Sequence, residues 1–182
     1  MFVRNWMSTP VVTIPKVVPA EAAREFMVKR KVRRLPVVDG DRLVGIVTLS
    51  DLQAGRRPGA FVDDLMTADP LTVAPDETLE QAAKIMLERK ISGIPVVEND
   101  RLTGIITESD VFRALCELMG VKEKGARVVF TVPGGGDLLD ALRKRLTGLV
   151  PRSLAMIHNP ENDRWEVVMR VRGRAPSALR KG

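Results

Sequence analysis

Two short stretches carry the residue types on which chemistry could be built. Gly45-Ile46-Val47-Thr48-Leu49-Ser50-Asp51 recurs 59 residues later as Gly104-Ile105-Ile106-Thr107-Glu108-Ser109-Asp110. Each reads as a buried strand ending in a hydroxyl, with a carboxylate three residues on at the start of a helix. The first N–H groups of a helix lack internal partners and carry partial positive charge, so a phosphate can settle there. The Thr48 or Thr107 hydroxyl can donate to a phosphate oxygen. Asp51 or Asp110 can accept two hydrogen bonds from a ribose diol, as acidic residues do in dinucleotide folds. The same Thr-x-x-Asp spacing is also a helix cap, in which Thr caps and Asp reaches back. Two copies inside matching modules favour a ligand over a bare cap.

The elements that must position these residues are themselves duplicated. Without a gap, residues 7–52 align on residues 66–111. Met7 falls on Met66, Glu21 on Glu80, Met27 on Met86, Pro36-Val37-Val38 on Pro95-Val96-Val97, and Asp41-Arg42-Leu43 on Asp100-Arg101-Leu102. Chance does not produce so long a match, and the chain contains a repeated module. Local rules read each module as β-α-β-β-α. Residues 11–14 and 71–73 are β-prone. Thr78-Leu79-Glu80-Gln81 has capping-box spacing, and Pro19 can open the matching helix of the first copy. Asp39-Gly40-Asp41-Arg42 is a tight-turn signal between two strands. The last helix is short in the first copy, stopped by Gly55, Pro58 and Gly59, and longer in the second, reaching Gly120. A module this small buries little surface alone, so the two are expected to pack together.

The remainder of the chain differs. Residues 121–126 read as a linker. Residues 127–173 read as β-α-β-β, with Pro133-Gly134-Gly135-Gly136 before a helix capped by Asp137, and residues 174–182 form a basic tail. The predicted class is therefore α/β (α+β): repeats at 1–59 and 60–120, then a small β-α-β-β segment.

Bulk composition narrows the function. The chain has 182 residues, is 45% hydrophobic and 29% charged, and carries a net charge of +6. It has room for two small domains with packed cores. Its positive balance suits anionic partners. No apolar run approaches the roughly 18 residues of a membrane span, and Met1-Phe2-Val3-Arg4 opens no signal-peptide core, so a cytoplasmic setting is expected. Cys116 is the only cysteine and His158 the only histidine, which argues against cysteine- or histidine-cluster metal sites and triads. No activated nucleophile or convergent acid–base pair can be named, and an enzyme is not expected. Tyr is absent and no recognition helix or RNA-binding motif is visible, so nucleic acid is not the expected partner.

The repeat resembles the cystathionine-β-synthase (CBS) domain. The resemblance rests on Met-Ser-Thr-Pro with Val-Thr-Ile, then Leu-Pro-Val-Val-Asp, then Gly-Ile-Val-Thr-x-x-Asp, and on Ile-Pro-Val-Val-Glu with Gly-Ile-Ile-Thr-x-x-Asp in the second copy. It covers residues 1–119. Tandem pairs of this kind, called Bateman modules, bind adenosine-containing ligands in two clefts between the repeats. The resemblance implies that Asp51 and Asp110 hold ribose and that Thr48 and Thr107 lie near phosphate. It places the base against Thr13-Ile14 or Thr72-Val73, and against the backbone before each proline, at Leu35-Pro36 or Gly93-Ile94-Pro95. Arg33 and Arg34 become candidates to pair with phosphates. The first copy departs from the family at Val17-Val18-Pro19, where an acidic, Thr-capped helix start is common. Residues 127–173 resemble the first β-α-β-β of an ACT domain, and the combination is similar to bacterial acetoin-utilisation B-type proteins. The resemblance thus implies a regulatory module with no required cofactor, an adenine nucleotide as ligand, no catalysis, no membrane partner, and a homodimer serving an unidentified target. A dimerisation scaffold with no nucleotide is the alternative.

Overall fold

In the computed structural model, residues 1–55 and 57–173 are described. The basic tail expected at 174–182 lies outside the described residues. The chain divides into two compact units, Met1–Val111 and the residues from Phe112 onward.

The first unit holds both repeats except for the part of the last helix beyond Val111. In repeat 1, β1 (Ile14–Pro15), α1 (Ala20–Arg30), β2 (Arg34–Asp39), β3 (Arg42–Thr48) and α2 (Leu49–Ala54) follow in order. Repeat 2 opens with β4 (Thr67–Ala68) and continues with α3 (Leu79–Arg89), β5 (Gly93–Glu98), β6 (Arg101–Thr107) and α4 (Glu108–Leu118). The expected strand at 11–14 is shorter and later, because only Ile14 and Pro15 reach pairing distance of β2. The segment expected at 71–73 contributes a single parallel bridge, Val73 to Val96.

Each α1-type helix is set by its ends. Pro19, extended at φ −57° and ψ 137°, caps α1 without a side-chain bond, and its missing N–H costs nothing there. Thr78 caps α3 by accepting from the Gln81 N–H at 3.1 Å. The reciprocal bond expected from Gln81 is replaced, since the Thr78 N–H goes to the Glu77 carboxylate at 2.9 Å. Both helices end at a left-handed lysine, Lys31 (φ 55°) and Lys90 (φ 54°). Ala23 and Met27 of α1, and Ala82 and Met86 of α3, face the interior. Leu35, Val37 and Val47 supply the opposing face from the sheet.

The opening segments of the repeats are exchanged. Residues 1–8 open repeat 1 in the sequence but complete repeat 2: the Val3 N–H bonds to Glu77 O, the Leu79 N–H to Met1 O, and Ser8 bridges Ile105. Residues 60–68 open repeat 2 in the sequence but complete repeat 1: the Ala20 N–H bonds to Ala60 O, the Val62 N–H to Val18 O, and β4 pairs antiparallel to β3 through Ile46–Thr67 and Gly45–Ala68. Val3 and Val62, equivalent positions, are both fully buried. The two repeats are thereby tied into one unit.

The second unit contains β7 (Ala126–Pro133), α5 (Leu138–Leu146), β8 (Pro151–Asn159) and β9 (Arg164–Val171) in an antiparallel sheet of order β7-β9-β8. Val128, Phe130, Val132, Val167, Met169 and Val171 form its core with Leu142 of α5. Asp137 caps α5 through the Asp140 N–H at 3.1 Å, as its position before the helix predicted.

A candidate nucleotide site in two clefts

Thr48 ends β3 in an extended conformation and α2 begins at the next residue. Its N–H and its hydroxyl both donate to Asp51 Oδ2, at 2.8 and 2.7 Å, and Thr48 Oγ1 accepts from the Asp51 N–H at 3.2 Å. Thr107 repeats the pattern, donating to Asp110 Oδ2 from N–H and hydroxyl at 2.8 and 2.7 Å. The cap and the candidate site are therefore one structure. A hydroxyl has a single proton, and in both threonines it is committed to the carboxylate. The expected donation from Thr48 or Thr107 to a phosphate would first break that bond. Among the described residues, every hydrogen bond to the Asp51 carboxylate uses Oδ2. Oδ1 accepts none of them.

Two cavities flank the pair, and each mixes residues from both repeats. One, about 460 Å³, joins Ile46, Thr48 and Asp51 of repeat 1 to Pro70, Leu71 and the segment 89–93 with Pro95 of repeat 2. The other, about 420 Å³, joins Ile105, Thr107 and Ser109 of repeat 2 to Val11, Val12, and 31–34 with Pro36 of repeat 1. A shift of 59 residues carries most of one lining onto the other. A third, more polar cavity of about 510 Å³ lies against both threonines. Arg33, Arg34, Ser50, Ser92 and Ser109 line it, together with Glu108.

The placement of the expected residues is mixed. Thr48, Thr107, Asp51, Arg33, Arg34, Pro36, Gly93 and Pro95 line these cavities. Asp110 does not. It is 1% exposed, so in this conformation its carboxylate sits behind the Thr107 cleft. Ile14, Val73, Leu35 and Ile94 turn inward and are buried. Alternation along a strand explains this: Leu35 and Ile94 face the core. Thr13 is absent from the lining of either cleft, and Thr72 lines a separate cavity near the hairpin turns. The apolar walls come instead from Val11-Val12 and Pro70-Leu71, two residues earlier. Sequence reasoning also missed Lys31 and Lys90, which end the helices at the cleft mouths. Their left-handed conformation in a non-glycine residue was invisible in composition.

Glycines shape the strands behind the clefts. A side-chain carbon on Gly45 would strike the Met66 sulfur, and one on Gly104 would lie 2.6 Å from the Met7 sulfur. At Gly45 the neighbour that excludes a side chain is a methionine from the exchanged segment. Gly93 is similarly covered by the Arg34 side chain.

Arg34 breaks the symmetry. It pairs with Thr48 in the hairpin, and its Nη2 donates to Ser92 Oγ of the other repeat. Burial is the main influence holding its pKa below the usual arginine value; nearby Arg33 acts in the same direction, against Glu108 and Asp110.

Known proteins resemble this chain in sequence and fold. The CBS domain model matches residues 3–54 and 62–117. Inosine-5'-monophosphate dehydrogenase of Korarchaeum cryptofilum is 42% identical over 103 residues, which are 56% of this chain and 22% of that enzyme. The chain spans about a fifth of the length of the curated relatives it first matches. A putative acetoin utilization protein (AcuB) from Vibrio cholerae superposes with a TM-score of 0.61 at 30% identity, covering 69% of this chain and 98% of that one. CBSX2 in complex with AMP superposes with a TM-score of 0.60 at 33% identity, covering 67% and 98%. With the model matched to both repeats in order, over more than half of the chain, the chain belongs to the CBS domain family, as a tandem pair.

Proposed function

We propose that this chain is a non-catalytic regulatory module that binds an adenosine-containing nucleotide in the clefts between its two repeats. One observation carries the reading: Asp51, with Oδ1 unspent, lies in a 460 Å³ cavity beside apolar Leu71 and Ile91 and cationic Arg34 and Lys90. A carboxylate for a diol, an apolar slot for a base and cations for a phosphate are the three chemistries of a nucleotide. The structurally similar CBSX2 holding AMP supports the same ligand class. On this reading Asp51 holds ribose, and Arg33, Arg34, Lys31 and Lys90 serve phosphates, with the Ser50 and Ser109 hydroxyls taking the role first expected of the threonines.

Thermal unfolding with AMP, ADP and ATP tests it. Ligand at about 100 times its Kd adds roughly 2.7 kcal/mol, which in a chain of this size raises Tm by about 5–10 °C. Asp51→Ala should remove the part of the shift that belongs to its cleft. Unchanged melting with all three nucleotides would exclude the reading.

The assembly we infer is a homodimer. Phe112, Leu115 and Leu118 recur every third residue on α4 and are 65%, 46% and 52% exposed, an apolar stripe suited to a matching helix. Mass measurement in solution reads this directly, and a monomer at all concentrations would contradict it. The strand order β7-β9-β8 with α5 packed on the sheet supports reading the C-terminal segment as partly ACT-like. A reducing, cytoplasmic setting suits the free thiol of Cys116. Among the described residues no helix is long and apolar enough to cross a membrane.

A further inference from the structure

The two repeats present different residues at two adjacent equivalent positions. Where repeat 1 has Arg33-Arg34, repeat 2 has Ser92-Gly93. The Arg34 side chain leaves its own repeat, lies over Gly93, where a side-chain carbon would overlap it, and bonds to Ser92. It lines both clefts and the polar cavity against both threonines. Its guanidinium carries five donors, yet the one hydrogen bond it makes among the described residues is to a neutral hydroxyl. It forms no ion pair there, although it is half-buried and burial opposes its charge. A half-buried cation with one neutral partner gains more from an anion than from the bond it has. In a symmetric pair each cleft would own such a group. Here Arg34 has only a glycine as its counterpart in repeat 2, so it is one group between two clefts, while Arg33 and Arg89 each line one of them.

We propose that Arg34 is a single guanidinium shared by the two clefts, so that the first phosphate-bearing nucleotide draws it from Ser92 and the second cleft must bind without it. The proposal rests on the nucleotide reading above and adds its regulation. The clefts are not independent sensors. Occupation by a phosphorylated nucleoside in one lowers the affinity of the other for phosphate, while an uncharged nucleoside leaves Arg34 on Ser92 and transmits nothing. The full chain would therefore hold one phosphorylated ligand at concentrations where two equal sites would be filled.

Calorimetric titration of the full chain with AMP and with adenosine tests this, using Arg34→Met and Ser92→Ala. Loss of a charge-assisted contact corresponds to about tenfold or more in Kd. In the wild type, the first AMP step should be about tenfold tighter than the second. Arg34→Met should weaken the first step by about that factor, narrow the gap between the steps, and leave adenosine unchanged. Ser92→Ala should act in the opposite direction, tightening the first AMP step by releasing the guanidinium. If AMP binds but both variants leave its two steps as they were, sharing is wrong and the nucleotide reading stands. Sharing is equally wrong if Arg34→Met weakens adenosine as much as AMP and Ser92→Ala does not tighten AMP. If the wild type binds neither AMP nor adenosine, both ideas fall together.

Discussion

The Met7 sulfur lies against Gly104, so close that a side-chain carbon there would stand 2.6 Å from it and 3.1 Å from the Ser8 carbonyl oxygen. Ser8 is held by its bridge to Ile105, so its backbone cannot retreat without breaking that pairing. Gly104→Ala should therefore destabilise the chain by about 1–3 kcal/mol, the usual cost of overpacking. Part of the conflict is with a flexible side chain. Met7→Ala should accordingly cost less in the Gly104→Ala background than in the wild type. A double-mutant cycle by urea unfolding reads the coupling. Strict additivity would show that the two residues do not press on each other.

The exchanged segments make a crosswise prediction. Val3 is buried in contact with repeat 2 and Val62 in contact with repeat 1, through backbone bonds to Glu77 and Val18 respectively. Val3→Ala should lower amide protection chiefly at residues 78–82, and Val62→Ala chiefly at residues 18–23. Each should cost roughly 1–3 kcal/mol. Hydrogen exchange by mass spectrometry separates the two. Loss confined to the repeat that each valine opens in the sequence would contradict the exchange.

That exchange marks what the sequence could not reveal. Met7 and Met66 occupy equivalent positions and are the same residue, as are Gly45 and Gly104. A repeat reads identically whichever copy's lead segment packs on it, so the duplication itself hides the swap. The duplicated β-α-β-β-α order was legible because Ala23 and Met27, and again Ala82 and Met86, stand four residues apart and Asp39-Gly40 marks a turn. The Thr-x-x-Asp sites were legible as pairs but not as chemistry. The hydroxyl proton that could have met a phosphate is used by the aspartate three residues on. The apolar walls were displaced from Thr13-Ile14 to Val11-Val12 because Ile14 is already in the strand and faces inward. Arg34 crossing to Ser92 required three dimensions altogether.

The double role of the aspartates changes what their variants report. Asp51→Ala removes the acceptor for two Thr48 donors, and Asp110→Ala does the same for Thr107. Losing a cap costs about 0.5–2 kcal/mol. Asp110 is buried, so its removal should cost more than that of Asp51, which lines an open cleft. Chemical denaturation of both variants without ligand should show this order. Equal losses would indicate that burial adds nothing to the second cap. Binding lost in Asp51→Ala then has to be measured at a temperature where the variant is fully folded.

Lys31 sets stability against binding. It caps α1 in the left-handed conformation, with its N–H on Met27 O and Val28 O, and it lines the Thr107 cleft. A side chain at this φ costs roughly 1 kcal/mol more than glycine would. The greater freedom of glycine in the unfolded chain offsets part of the gain. Lys31→Gly should therefore raise Tm by about 1–4 °C. The same change removes a cation from the cleft and should weaken AMP by up to about fivefold at physiological salt, with a larger loss at low salt where screening is weaker. A higher Tm with a weaker, more salt-sensitive AMP affinity would mark the residue as kept for its charge. A variant that gained stability and bound AMP unchanged at every salt concentration would leave its strained backbone without a functional account.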